Sequence, residues 1–341
     1  MEEFVQLCQM VHAEPLICTG FVSKTPKDAA DQIEYFNGSA SSPMGALRAA
    51  NGHTAPYKVK YWQIGNELAG AGYDKGVPAF CDAMRAADPS IKILSSFPTP
   101  GIVSAAGDKL DYICPHDYDC ADLAGVANEY RSLRALIGTR KIKLGITEWN
   151  TTAGDRGLAR AGLWNLKNAL ACSRFHNIMH RNADLVEIAN RSNLTNSFCS
   201  GIIQTNRYQL YMTPTYYAQM LYANEAGTRP LEISPPAAFG PGVDISATLS
   251  DDGSTLSLFV VNDMLTDETR SLVLPAGPWK PEVQVKILGD MQLAGEPDVT
   301  NSFSDPHRVA IKQRIVHQDG GKIRYQFSKF SVTMMKLVRS R

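Results

Sequence analysis

Short apolar runs alternate with amphipathic helical stretches through the first two-thirds of this chain, and then the helical pattern stops. That alternation implies βα units around a parallel sheet, because successive parallel strands need a crossover and helices then cover both faces. The runs at residues 14–20, 59–64, 91–95, 112–115, 143–147 and 201–204 are short and rich in Ile, Val, Leu and Tyr, as doubly buried strands should be. Helical segments fall at residues 2–12, 77–87, 122–137, 155–176 and 216–224. A further helix is announced by Thr25, followed by Pro26 and Asp28: a capping hydroxyl, a proline in the first turn and an early acid.

Beyond about residue 224, Pro and Gly become dense from Thr228 to Val243. Alternating runs follow at residues 245–249, 256–262, 270–274, 282–288, 308–316 and 322–327, with turn signals at Asp252-Gly253 and Gly320-Gly321. Consecutive strands without helices imply an antiparallel sandwich. The expected architecture is α/β: a (β/α)8 TIM-type barrel over residues 1–224, then an all-β sandwich over residues 225–341. Six barrel strands are visible where a closed barrel has eight. If they are strands three to eight, the first two are absent and the opening helix precedes strand three.

Charge excludes some functions. Thirty-four basic residues balance 34 acidic ones, so no surplus is available to neutralise phosphates, and nucleic acid is not expected as a partner. No run approaches the ~18 apolar residues of a membrane span. The start, with Glu2 and Glu3, lacks the basic-then-apolar pattern of a secretory signal. A native start would therefore place the chain in the cytoplasm, and a missing one would permit secretion. The basic residues 336–341 read as a solvated terminus. The seven cysteines are irregularly spaced and none forms a C-x-x-C pair, so they read as buried thiols rather than a zinc site. No metal and no cofactor is expected.

Two segments carry the chemistry: Lys60-Tyr-Trp-Gln-Ile-Gly-Asn-Glu67 and Leu144-Gly-Ile-Thr-Glu-Trp-Asn150. Each is an apolar strand ending in a carboxylate, which is where βα barrels place catalytic residues. Asn-Glu occurs twice more, at Asn128-Glu129 and Asn224-Glu225, both in or beside helices, so it is the strand-end position that singles out Glu67. Paired carboxylates suit acetal cleavage: one protonates the leaving oxygen, and the other meets the oxocarbenium-like centre from the opposite face. A gap of about 5–5.5 Å between them implies retention of configuration; a wider one implies inversion.

The same two segments resemble the signature segments of the family 51 α-L-arabinofuranosidases, which belong to a large clan of barrel glycosidases. Residues 42–53, Cys114-Pro-His-Asp-Tyr118 and Pro214-Thr-Tyr-Tyr-Ala218 are similar to further stretches of that family. In the clan the acid/base ends strand four and the nucleophile ends strand seven. The strand count, shifted by two, puts Glu67 and Glu148 there. The resemblance implies that Glu67 is the general acid/base, Glu148 the nucleophile and Asn66 a partner of the sugar's 2-hydroxyl. It implies that His116 and Tyr118 orient the nucleophile and contact the sugar. Trp149 reads equally as pocket wall or core, and His53 as structural.

The resemblance further implies an arabinose-containing oligo- or polysaccharide as substrate and a homo-oligomeric assembly. This chain has no segment to match the family's sugar contacts on strands one and two. Two other readings stay open: a related β-xylosidase or endo-glucanase on the same barrel, and a truncated, inactive sugar-binding fragment.

Overall fold

The computed structural model of the chain describes residues 1–152, 162–197, 201–234 and 242–340. In chain order its elements are α1 (Glu2–Met10), β1 (Leu16–Thr19), α2 (Pro26–Asn37), α3 (Pro43–Ala50), β2 (Tyr61–Ile64), α4 (Ala71–Ala87), β3 (Lys92–Leu94), α5 (Pro100–Ala106), β4 (Tyr112–Ile113), β5 (His116–Asp117), α6 (Leu123–Ile137) and β6 (Lys143–Trp149). There follow α7 (Leu166–Arg181), β7 (Val186–Arg191), β8 (Ile203–Thr205), β9 (Leu210–Met212), α8 (Pro214–Glu225) and eight strands. These are β10 (Arg229–Leu231), β11 (Val243–Leu249), β12 (Thr255–Asn262), β13 (Glu268–Val273), β14 (Glu282–Asp290), β15 (Val309–His317), β16 (Lys322–Phe327) and β17 (Ser331–Val338).

The chain divides into two compact units. One comprises Met1–His116, Glu129–Thr147 and Leu185–Ala189; the other comprises Asp117–Asn128, Glu148–Asp184 and Asn190–Arg341.

The first unit is built on a parallel sheet. β1 pairs with β2 in the register Leu16↔Tyr61, β2 with β3, β3 with β4 and β4 with β6, and β7 lies beside β6. Helices start where their caps dictate. Thr25 accepts from the Asp28 amide while Asp28 accepts from the Thr25 amide, closing a reciprocal cap on α2. Ile33 and Phe36 of α2, Trp62 of β2, and Val77, Phe80 and Met84 of α4 are buried. Burial of side chains this size contributes on the order of 2 kcal/mol each.

One strand expectation needs correction. Residues 201–204 are not in this sheet: Ile203–Thr205 forms a two-stranded antiparallel ladder with Leu210–Met212. The strand beside β6 is instead Val186–Arg191. Its apolar run is interrupted by Glu187, whose carboxylate accepts from the Tyr112 hydroxyl at 2.9 Å. The helix expected over residues 155–176 begins in part outside the described residues, and α7 runs on to Arg181.

In the second unit a six-stranded sheet has the order β10-β11-β12-β17-β14-β15, with β13 and β16 as a separate two-stranded ladder. Alternate residues of the two central strands serve two different cores. Leu256, Leu258, Met335 and Leu337 pack with Leu274, Ile323, Tyr325 and Phe327. Phe259, Val261, Val332 and Met334 pack with Leu166 and Leu170 of α7 and with Ala218, Leu221 and Tyr222 of α8. Covered on both faces, β12 and β17 must be apolar almost throughout. This corrects the reading of residues 336–341 as a solvated terminus: Lys336 lies in β17, with Nζ 2.9 Å from Glu225 Oε2. Lys286 also binds Glu225, and the two ammonium groups outweigh desolvation to hold that carboxyl below its ordinary range.

Among the cysteines, Cys8, Cys81, Cys114, Cys120 and Cys172 are buried and Cys18 is exposed. Cys199 lies outside the described residues. Among the described residues, no helix is long and apolar enough to cross a membrane.

Candidate active site

Asn66 and Glu67 follow β2 directly, in a turn that its neighbours shape. The Gly65 amide donates to Thr19 O at 2.8 Å. Gly65 has φ +68°, and a Cβ there would lie 2.6 Å from Leu68 Cδ1, so no other residue fits without displacement. Glu67 itself has φ +53°, uncommon for a residue with a side chain and a mark of stored strain. The turn is pinned from two elements. The Tyr73 hydroxyl donates to Ile64 O at 2.6 Å and accepts from the Ser96 amide at 2.7 Å. Ser96 Oγ in turn accepts from the Leu68 amide at 2.7 Å. Burial raises the Tyr73 hydroxyl's pKa far above the working range, so it remains a donor.

Asn66 is exposed and accepts through Oδ1 from Gln63 Nε2 at 3.4 Å. Glu67 is 53% exposed, and its Oε1 lies 3.1 Å from His116 Nδ1. The His116 side chain is only 3% exposed. Its Nε2 lies 3.3 Å from Thr147 Oγ1, and Phe97 packs edge-on against the ring at 5.1 Å. His116 thus stands beside Glu67, the expected acid/base.

Glu148 is the sixth residue of β6. The Tyr118 hydroxyl donates to its Oε2, and Ser192 Oγ lies 3.1 Å from that same hydroxyl. The residues flanking Glu148 are fixed by the segment after β7. The Ser192 amide donates to Trp149 O at 3.2 Å, Asn150 Nδ2 to Ser192 O at 3.2 Å, and Arg191 Nη2 to Asn150 Oδ1 at 3.2 Å. The Asn150 amide reaches back to Asp117 O at 3.1 Å. Trp149 resolves to core: it is wholly buried, with Phe175 and His176 of α7 at 5.0 and 5.2 Å between ring centres.

Both glutamates, His116 and Tyr118 are legible in the sequence. Tyr73, Ser96, Thr147, Arg191 and Ser192 are not, although Thr147 is adjacent to Glu148. Ser192 was out of reach because the strand leading to it was not recognised.

Each carboxylate meets a side chain that can share a proton with it. An imidazole beside Glu67 can donate or accept as that carboxyl changes protonation state.

The family model for the α-L-arabinofuranosidase 1 domain matches residues 1–134, and that for the α-L-arabinofuranosidase C-terminal domain matches residues 147–331. An intracellular exo-α-L-arabinofuranosidase of Bacteroides ovatus is 23% identical, over 90% of this chain and 69% of its own length. α-L-Arabinofuranosidase 1 of Arabidopsis thaliana is 30% identical over 66% of this chain and 34% of its own length. α-L-Arabinofuranosidase A of Aspergillus niger is 24% identical over 90% of this chain, which spans 47% of that enzyme. Among solved structures, the arabinose complex of the α-L-arabinofuranosidase from Thermotoga maritima superposes with TM-score 0.85 at 23% identity, covering 98% of this chain and 78% of that one. The thermostable family 51 enzyme of Thermotoga petrophila superposes with TM-score 0.87 at the same identity and coverage. The fold class is therefore that of a (β/α)8-type barrel joined to an all-β domain, as the strand alternation implied.

Proposed function

Because the chain belongs to the α-L-arabinofuranosidase family, we propose that it is a retaining glycoside hydrolase. On this reading it releases terminal α-L-arabinofuranosyl groups from the side chains of hemicellulose or pectin. Glu148 attacks the anomeric carbon and forms a covalent glycosyl-enzyme, while Glu67 protonates the departing oxygen. Glu67 then takes a proton from water, which attacks the intermediate and frees Glu148. Asn66 holds the sugar's 2-hydroxyl, His116 supports Glu67 and Tyr118 supports Glu148. The chemistry requires no metal or cofactor.

One observation carries this reading: two glutamates, in segments that resemble the family's signatures, follow or end parallel strands, with a His116 ring nitrogen beside Glu67 and the Tyr118 hydroxyl donating to Glu148. The same proposal places the barrel in residues 1–224 and the sandwich in residues 225–341, and takes the working state to be a homo-oligomer, as the family resemblance suggests.

The test is nitrophenol release from 4-nitrophenyl α-L-arabinofuranoside by the full chain, with Glu148→Ala as control. Turnover that vanishes in the variant supports the assignment. Wild-type-like turnover in the variant, or none in either folded protein, overturns it for this chain.

A further inference from the structure

β2 and β3 run parallel in the register Tyr61↔Lys92, Trp62↔Ile93 and Gln63↔Leu94, and the Lys92 amide donates to Lys60 O at 2.8 Å. Rungs of one kind recur every second residue in such a ladder. Continued at that step, the register would bring the Ser96 amide to Ile64 O. The Tyr73 hydroxyl takes the place of that rung: it donates to Ile64 O at 2.6 Å and accepts from the Ser96 amide at 2.7 Å. Two hydrogen bonds in series span more than one, so the strands part at their C-terminal ends, where the turn carrying Glu67 begins.

The far side of that turn is held by the same group of residues. Ser96 Oγ accepts from the Leu68 amide at 2.7 Å, and the Ser96 carbonyl accepts from the Cys114 amide of the next segment at 3.3 Å. The Tyr73 ring is itself braced. Phe21 packs edge-on against it at 4.9 Å and lies 5.1 Å from Phe80. Phe21 has that room because residue 76 is glycine, where a Cβ would lie 2.6 Å from Phe21 Cζ.

We propose that Tyr73 and Ser96 are positioning residues for the general acid/base: by replacing one rung of the ladder and gripping the backbone on both sides of Glu67, they set where its carboxyl points. The inference rests on the reading of Glu67 as acid/base. Both residues bind the turn through its backbone, at Ile64 O and the Leu68 amide, so they act on the position of Glu67. An acid must lie within hydrogen-bond reach of the oxygen it protonates, and a misplacement of about 1 Å can cost about a hundredfold. Their removal therefore penalises the substrates that need a proton.

The test compares phenyl and 4-nitrophenyl α-L-arabinofuranosides with the full chain. Tyr73→Phe keeps the ring against Phe21 and Phe80, and Ser96→Ala leaves the Tyr73 hydroxyl in place. Each should lower kcat/KM on the phenyl substrate by about tenfold to a hundredfold, through kcat and with KM within about twofold. On the nitrophenyl substrate, whose leaving group needs little protonation, the loss should stay within about twofold. An equal loss on both substrates, or a rise in KM that accounts for it, would show that the two residues merely maintain the fold, and the proposal would be wrong. Should Tyr73→Phe fail to fold, Ser96→Ala decides by the same criterion.

Amide hydrogen exchange read by NMR needs no turnover. The Leu68 amide should exchange about fivefold to tenfold faster in Ser96→Ala than in wild type, with the Ile33 amide of α2 unchanged; an unchanged Leu68 rate overturns the proposal. If the wild type hydrolyses neither glycoside, the functional reading fails, and exchange alone decides whether Tyr73 and Ser96 hold the turn.

Discussion

Glu67 is held at φ +53° in a turn whose glycine sits at φ +68°, where an added Cβ would press on Leu68 Cδ1, and such strain persists only where the surroundings over-determine it. Gly65→Ala should therefore cost about 1–3 kcal/mol in urea unfolding and reduce kcat more than it raises KM, because Glu67 is displaced rather than removed. An alanine variant of unchanged stability would show that the turn relaxes freely. Glu67→Ala should slow substrates with poor leaving groups far more than nitrophenyl substrates, since only the former need a proton. Equal losses across leaving groups would count against the acid role.

At this scale the sequence was informative wherever a residue's role follows from its place at a strand end. Glu67, Glu148, His116 and Tyr118 all carry the partners described above. It was silent on Tyr73 and Ser96, which lie on other elements and meet the turn only after folding. His53 was read as structural, and it stacks on Tyr57 with 3.9 Å between ring centres.

At the scale of elements, legibility depended on which faces are covered. The capping box of α2 is local and was visible in the residue order. Thr25→Ala should lower stability by about 1 kcal/mol, measurable by thermal melting. α3 was not recognised as a helix, yet it presents Arg48, wholly buried, to three carbonyls: Tyr35 O, His53 O and Thr54 O. Arg48→Ala removes a buried guanidinium and leaves three partly buried carbonyls without their donor, and a loss of about 3 kcal/mol is expected. A change below about 1 kcal/mol in urea unfolding would show that water replaces the guanidinium.

β7 escaped notice because Glu187 interrupts its apolar run, and only Tyr112 on a distant segment explains a carboxylate there. β17 escaped for the opposite reason. Its apolar residues face two cores at once, so its pattern does not alternate, and the lysine near its end suggested solvent.

At the scale of the whole molecule, stability should depend on pH through α7. Burial, reinforced by the neighbouring His180, depresses His176 to about 3, and its Nε2 pairs with Gln219 Oε1 at 3.0 Å. Burial likewise lowers His180, to about 4. Both rings stay neutral in the folded chain while the unfolded chain takes up protons below about 6.5. Stability is thus fully present above that pH and is lost as pH falls toward the folded values. Between pH 7 and pH 5 each ring should remove roughly 1–2 kcal/mol. Urea unfolding of wild type and His176→Gln over that range tests this; identical slopes would rule out the His176 contribution.

Residue order alone determined the class of each part: strand–helix alternation implies a parallel sheet, strands without helices imply a sandwich, and carboxylates at strand ends imply where chemistry sits. Those signals are local, because periodicity and capping act within a few residues along the chain. Tertiary structure alone decided which strand lies beside β6, that the C-terminal strand is central in its sheet, and that His116 meets Glu67 while the Tyr118 hydroxyl meets Glu148. Those facts depend on pairings between segments tens of residues apart. Nothing in the local pattern encodes such a partner, and it is selected only when burial and hydrogen bonding are satisfied together across the folded chain.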